Sequence, residues 1–142
     1  MPRALREFLL LLVLAAVPAA LAGWLHPRPP QPIAAGLPEL TAGAARDQAA
    51  TQPVLWIDAR PAEAFARGHI DSAIRLTGEE WETLLLPVME TWTPGSPVIV
   101  YCEGGGCAAS QAVAARLQRE LGIETIYVLT GGWPAWRQTN PN

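Results

Sequence analysis

Short apolar runs and amphipathic stretches alternate along the chain from Pro53 onward. Val54-Leu55-Trp56-Ile57 is an apolar run that ends at Asp58, and Val98-Ile99-Val100-Tyr101 is the strongest strand signal in the chain. Two weaker strands are predicted over Ala73–Leu76 and Thr125–Leu129. Short runs that are apolar at every position are typical of strands buried on both faces, so the pattern favours a parallel sheet.

Helices are predicted between these strands. Thr77-Gly78-Glu79-Glu80 has the spacing of a capping box, and the residues after it place Trp81, Leu84, Leu85 and Val88 on one helical face. The other predicted helices cover Pro61–Ala66, about Ala109–Leu121, a short stretch from Gly131-Gly132 to Trp136, and part of the alanine-rich Leu37–Ala50. The alternation of strands and helices predicts an α/β domain, with a parallel sheet covered by helices on both faces.

The N-terminal region differs from the rest because it is apolar all round. Phe8 to Leu25 is uncharged and follows Arg3 and Arg6. This run is just long enough to span a membrane as an N-terminal hydrophobic helix, and the preceding arginines favour a domain on the extracytoplasmic side. Ala20-Leu21-Ala22 also fits a cleavage site. Residues 1–25 are therefore either a signal anchor, contacting the membrane through residues 8–25, or a signal peptide whose cleavage leaves a periplasmic or secreted domain.

Composition limits what the rest of the chain does. Residues 26–38 are proline-rich and are predicted to form a linker, which leaves residues 39–138 for one domain. The formal net charge is −3, and the ten basic residues, all arginine, form no basic stripe. Nucleic acid is therefore not predicted as a partner. Two cysteines without paired histidines are too few for a metal site, and no cofactor is predicted.

Cys102 is the candidate for chemistry because it follows the strongest predicted strand directly. In open α/β sheets, ligands bind beyond the carboxyl ends of the strands. The glycine-rich loop after Cys102 leads into a helix, and backbone N–H groups together with a helix N-terminus favour a thiolate, the nucleophilic form of cysteine. The predicted loop amides belong to Glu103, Gly104, Gly105, Gly106, Cys107 and Ala108.

Several motifs occur in a specific order between about Leu37 and Arg137. They are Leu55-Trp56-Ile57-Asp58-Ala59-Arg60, Glu63-Ala64-Phe65, Gly68-His69-Ile70-Asp71-Ser72-Ala73, Val98-Ile99-Val100-Tyr101-Cys102 and Leu129-Thr130-Gly131-Gly132-Trp133-Pro134-Ala135-Trp136. In this order and spacing, the chain resembles the rhodanese family. The resemblance implies a rhodanese-like fold in which Cys102 accepts a sulfane sulfur from a donor as a persulfide and passes it to a thiophilic acceptor. It also implies structural roles for Asp58, Arg60 and His69.

The loop departs from the family pattern in its charge. Single-domain members of the rhodanese family place arginine and serine five and six positions after the cysteine. Cys107 stands at the fifth position here, and Ala109 takes the arginine's place if Ser110 is matched to the serine. Glu103, the one charge in the loop, repels anions and raises the pKa of a neighbouring thiol, so efficient use of thiosulfate is not predicted.

Three hypotheses follow. The first is a membrane-tethered, exported sulfurtransferase with Cys102 as nucleophile. The second is a non-catalytic module that presents the same loop to a protein partner, and serine in place of Cys102 would leave its function unchanged. The third is a thiol redox protein that uses both cysteines. Cys107 is a candidate resolving thiol, because it is placed to attack a persulfide on Cys102 or to close a disulfide with it.

Overall fold

A computed structural model of the chain describes residues 36–104 and 107–139, which belong to one compact unit. The predicted hydrophobic segment, residues 8–25, lies outside the described residues, as do most of the predicted linker and Gly105-Gly106. Within the described ranges, no helix combines the length and apolar character needed to cross a membrane.

Five strands and five helices alternate through the described ranges. The strands are β1 (Glu39–Leu40), β2 (Leu55–Asp58), β3 (Ile74–Arg75), β4 (Val98–Tyr101) and β5 (Ile126–Leu129). The helices are α1 (Ala42–Thr51), α2 (Ala62–Ala66), α3 (Trp81–Thr91), α4 (Ala108–Leu121) and α5 (Gly132–Thr139).

The five strands form one parallel sheet in the order β1-β5-β4-β2-β3. β4 lies at its centre, and its last residue, Tyr101, is in register with Asp58 at the end of β2. The hydrogen bonding between these two strands extends one residue past the end of β2, where Ala59 N donates to Tyr101 O at 2.8 Å. The segments that follow β2 and β4 therefore leave the sheet side by side at its carboxyl edge.

Helices cover both faces of the sheet, which confirms the predicted α/β architecture. Alternate residues of the central strands point to opposite faces. Leu55, Ile57, Val98 and Val100 pack with buried residues of α3 and α4, including Trp81 and Leu117. Trp56, Ile99 and Tyr101 pack on the other face with residues of α1, α2 and α5, including Ala45, Phe65 and Trp136.

Two local predictions differ from the structure. The two-residue strand β1 was not predicted, because a strand so short carries no periodic signal; it forms at the sheet edge by pairing with β5. The capping box before α3 forms only in half. Thr77 Oγ1 accepts a hydrogen bond from Glu80 N at 3.3 Å. The Glu80 carboxylate, however, binds the Arg75 guanidinium instead of the Thr77 backbone N–H that a capping box requires.

Candidate active site

Cys102 is the first residue after β4 and lies at the base of the loop that leads to α4. Its side chain is buried, with the residue 3% exposed. Sγ donates a hydrogen bond to Gly104 O at 3.1 Å, and the buried hydroxyl of Ser110 donates to Sγ at 3.5 Å. The side chain is thus held between the start of the loop and the first turn of α4.

The main chain of Cys102 is fixed by the first two residues of α5, Gly132 and Trp133. Trp133 N donates to Cys102 O at 2.8 Å. Gly132, with φ +57°, lies so close that a Cβ atom there would be 2.3 Å from Cys102 O. Only glycine allows this approach. Neither Gly132 nor Trp133 was predicted to support the site; the Gly131-Gly132 pair was the one signal that could have indicated a close backbone contact.

Asp58 and Arg60 form a buried ion pair beside the loop. Arg60 Nη2 lies 2.6 Å from Asp58 Oδ2, and Arg60 Nε donates to Asp58 Oδ1 at 2.9 Å. Arg60 Nη2 also donates to Gly68 O at 2.7 Å, and the guanidinium lies 4.9 Å from the ring centroid of Trp133. The pair therefore ties the ends of β2 and α2 to the first turn of α5.

Arg60 also reaches the active loop. Its Nη1 lies 3.2 Å from Oε2 of Glu103, whose side chain is 66% exposed. The carboxylate of Glu103, the residue after Cys102, is therefore held in place by the buried Arg60 guanidinium, which lies 43 positions earlier in the chain. The buried Arg60 guanidinium therefore binds a carboxylate that lies at the solvent-exposed surface of the loop.

His69 belongs to the turn after α2. Its Nδ1 lies 3.0 Å from Phe65 O, and its ring stacks on that of Phe65 with centroids 3.9 Å apart. Neither contact involves Cys102. The next residue, Ile70, donates its N–H to the Tyr101 hydroxyl at 3.1 Å, so the turn is attached to the end of β4.

The environment of the Cys102 thiol favours its protonated form. Burial raises the pKa of Cys102, and the interaction with the neighbouring Cys107 thiol raises it further. Contacts with the Ser110 hydroxyl and the Gly104 backbone lower this pKa, but they do not outweigh burial. The sequence predicted a thiolate at Cys102, but its surroundings in the structure favour the protonated thiol. The reason is that a thiolate loses the hydration of its charge when it is buried.

Cys107 has the opposite balance. It is the N-cap residue of α4 and is only half-buried. Burial raises the pKa of Cys107, but its side-chain hydrogen bond with Cys102 and its interactions with the backbone N–H groups of Ala109 and Ser110 bring the pKa below its ordinary value. The helix N-terminus predicted to stabilise a thiolate thus acts on Cys107, since α4 begins at Ala108 and not directly after Cys102.

An open groove runs beside the loop. Its lining includes Arg60, Glu103, Trp133, His69, Trp136 and Arg137. The two tryptophans also pack in the fold, Trp133 against Tyr101 and Trp136 against Trp56. Glu103, the residue after Cys102, and Trp133, whose N–H binds Cys102 O, line this groove, so the groove borders the start of the loop. Of the predicted loop amides, those of Gly105 and Gly106 lie outside the described residues.

Comparison with known proteins agrees with this geometry. The Rhodanese-like domain family matches residues 41–139. A thiosulfate sulfurtransferase GlpE from Actinobacillus succinogenes is 30% identical over 100 residues, which cover 70% of this chain and 84% of the relative. One from Shewanella oneidensis is 32% identical over 84 residues, covering 59% of this chain and 76% of the relative.

A solved structure has the same fold. The BH2092 protein from Bacillus halodurans aligns with a TM-score of 0.60 and 25% identity, covering 72% of this chain and 73% of that protein. The family match spans the described domain, and the parallel sheet, the Asp58–Arg60 pair and the loop after Cys102 all lie inside it. This chain therefore belongs to the rhodanese-like domain family.

Proposed function

We propose that this protein is a sulfurtransferase that carries sulfane sulfur as a persulfide on Cys102. The observation that carries the proposal is the position of Cys102 Sγ at the base of the loop. It lies 3.5 Å from the Ser110 hydroxyl, and the next residue, Glu103, lines the open groove. The relatives named as thiosulfate sulfurtransferases support the reaction class.

The transfer proceeds in two steps. Deprotonated Cys102 attacks the outer sulfur of the donor, a new S–S bond forms, and the donor leaves with the electron pair; thiosulfate leaves as sulfite. An acceptor nucleophile then attacks the persulfide and removes that sulfur. The Ser110 hydroxyl, which already lowers the pKa of Cys102, donates a hydrogen bond to its sulfur and stabilises negative charge there during both steps.

Persulfide formation tests this proposal directly. The reduced full-length protein is incubated with thiosulfate without reductant, digested, and mapped by mass spectrometry. We expect sulfite in solution, and a gain of about 32 Da, one sulfur atom, on the peptide that contains Cys102 when Cys107 is replaced by serine. A protein that forms neither sulfite nor an adduct on that peptide would instead be the non-catalytic binding module.

Glu103 is expected to slow reaction with anionic donors. A carboxylate within about 6 Å of a dianion costs on the order of 1 kcal/mol in a water-like medium. Glu103→Gln should therefore raise kcat/KM for thiosulfate about fivefold at low ionic strength, and it frees Arg60 Nη1 to bind the anion. Steady-state sulfite production measures this gain.

Salt and a second variant provide the controls. The gain should shrink at about 0.5 M salt, because exposed charges are screened there. Glu124→Gln removes another exposed carboxylate from the turn before β5, at the opposite edge of the sheet, and should leave the rate unchanged. Equal rates for both variants at low salt would contradict a role of Glu103 in donor choice.

We further propose that the domain acts on the extracytoplasmic side of a membrane. Support comes from the uncharged segment Phe8–Leu25 and from Arg3 and Arg6 before it. The segment either stays as an anchor or is removed near Ala22. The N-terminal mass of the protein purified from the cells that produce it distinguishes these two forms, and recovery in the cytoplasm with the segment intact would contradict export.

A further inference from the structure

Two thiols share one small site at the start of α4. The thiols of Cys102 and Cys107 interact, which raises the pKa of Cys102 and lowers that of Cys107. Ser110 binds both residues, because its hydroxyl lies 3.0 Å from Cys107 O and 3.5 Å from Cys102 Sγ. The first turn of α4 therefore holds Cys107 beside the sulfur that would carry the persulfide.

The two thiols differ in accessibility and in position. Cys102 is buried, whereas Cys107 is half-buried and caps a helix of 14 residues. The N–H groups at the second and third positions of a helix have no partner inside it, and here they belong to Ala109 and Ser110, whose backbone groups lower the pKa of the Cys107 thiol. The more exposed thiol is thus also the one whose pKa is lowered.

We propose that Cys107 resolves the persulfide on Cys102 by attacking Cys102 Sγ, which releases hydrosulfide and closes a Cys102–Cys107 disulfide. This inference rests on the proposed persulfide. A new S–S bond forms between the two cysteine sulfurs, and the bond from Cys102 Sγ to the sulfane sulfur breaks. The electron pair leaves with the sulfane sulfur, which is reduced by two electrons, while the two cysteines together are oxidised by two.

The leaving group explains why Cys107 attacks the inner sulfur. Attack on the outer sulfur would expel the Cys102 thiolate, and burial raises the pKa of that thiol, which makes it a poor leaving group. Attack on Cys102 Sγ expels hydrosulfide, a weaker base that is soluble in water. Cys107 has the lowered pKa of an attacking thiolate.

The product disulfide needs an external reductant. Four residues separate the cysteines in the sequence, Glu103 and three glycines, and glycine is the residue type that tolerates the tight turns a short disulfide loop needs. A dithiol would attack the half-exposed Cys107 sulfur and restore both thiols. The protein then converts sulfane sulfur to sulfide at the expense of a dithiol.

Thiosulfate separates the two steps, because sulfite reports persulfide formation and sulfide reports its resolution. The reduced full-length protein, freed of reductant under anaerobic conditions, is mixed with thiosulfate. We expect about one sulfide per sulfite and a mass about 2 Da below the reduced protein, with neither cysteine open to alkylation. Adding a dithiol should start a second round of sulfide release.

Cys107→Ser is the matched variant, because serine also caps a helix and keeps the start of α4. It should form sulfite, keep the added sulfur of about 32 Da on Cys102, and release no sulfide. The same ratio of sulfide to sulfite in both proteins would overturn the resolving role while leaving the persulfide intact. Absence of sulfite from both proteins would overturn the proposed function, and the resolving step with it.

Discussion

Replacing Cys102 by serine is expected to lower the rate of sulfur transfer by at least about 1,000-fold, as removal of a covalent nucleophile does in other enzymes. A hydroxyl is far less nucleophilic than a thiolate and forms no persulfide. The fold should persist, since the serine hydroxyl can donate to Gly104 O as the thiol does now. Sulfite production from thiosulfate measures the loss, and a thermal melt within a few degrees of the parent shows that the domain is intact.

Cys107→Ser provides the comparison, because it changes the same atom in the same loop. It should retain sulfite formation, whereas Cys102→Ser should lose it. If the two variants had equal sulfite yields, or if Cys102→Ser kept the parent's rate, Cys102 would not be the nucleophile and the loop would act through some other group.

Gly132→Ala is expected to destabilise the domain by about 3 kcal/mol or more. At φ +57° an alanine is strained by about 1–2 kcal/mol. Its Cβ would also lie 2.3 Å from Cys102 O and 3.1 Å from Gly104 N, both main-chain atoms that cannot rotate away. The melting temperature should fall by on the order of 10 °C, and persulfide formation should fall with it because the base of the loop is displaced.

Gly43→Ala is the matched control. Gly43 lies in α1, and no atom lies within 4 Å of the position that an added Cβ would take, so the same methyl group meets open space. Alanine is the better helix former, and this variant should gain up to about 1 kcal/mol. Thermal and denaturant unfolding of both variants give the comparison; a Gly132→Ala protein as stable as the parent would show that Cys102 O and Gly132 are not in close contact.

Much of the fold follows from local pattern. The apolar runs before Asp58 and Cys102 are β2 and β4, and their alternation with helices leads to a parallel sheet, because strands that are apolar at every position need cover on both faces. The position of Cys102 at the carboxyl edge follows from the same pattern, since it is the first residue after the strongest strand. The motif order also indicated the family that comparison then showed.

The site itself depends on contacts between distant segments. Arg60 meets Glu103 because β2 and β4 are in register, and Trp133 N reaches Cys102 O because the turn after β5 ends at the same edge. Local sequence does not encode these distances.

Local sequence was enough to predict strands β2 to β5, the helices, the family motifs and the pair of thiols in one glycine-rich loop. Tertiary structure alone decided how those thiols differ. Burial raises the pKa of Cys102, whereas interactions with the Cys102 thiol and with the backbone of the first turn of α4 lower the pKa of Cys107. The physical reason is that a thiol's pKa depends on its solvation and on nearby dipoles, which exist only once the sheet and α4 have packed.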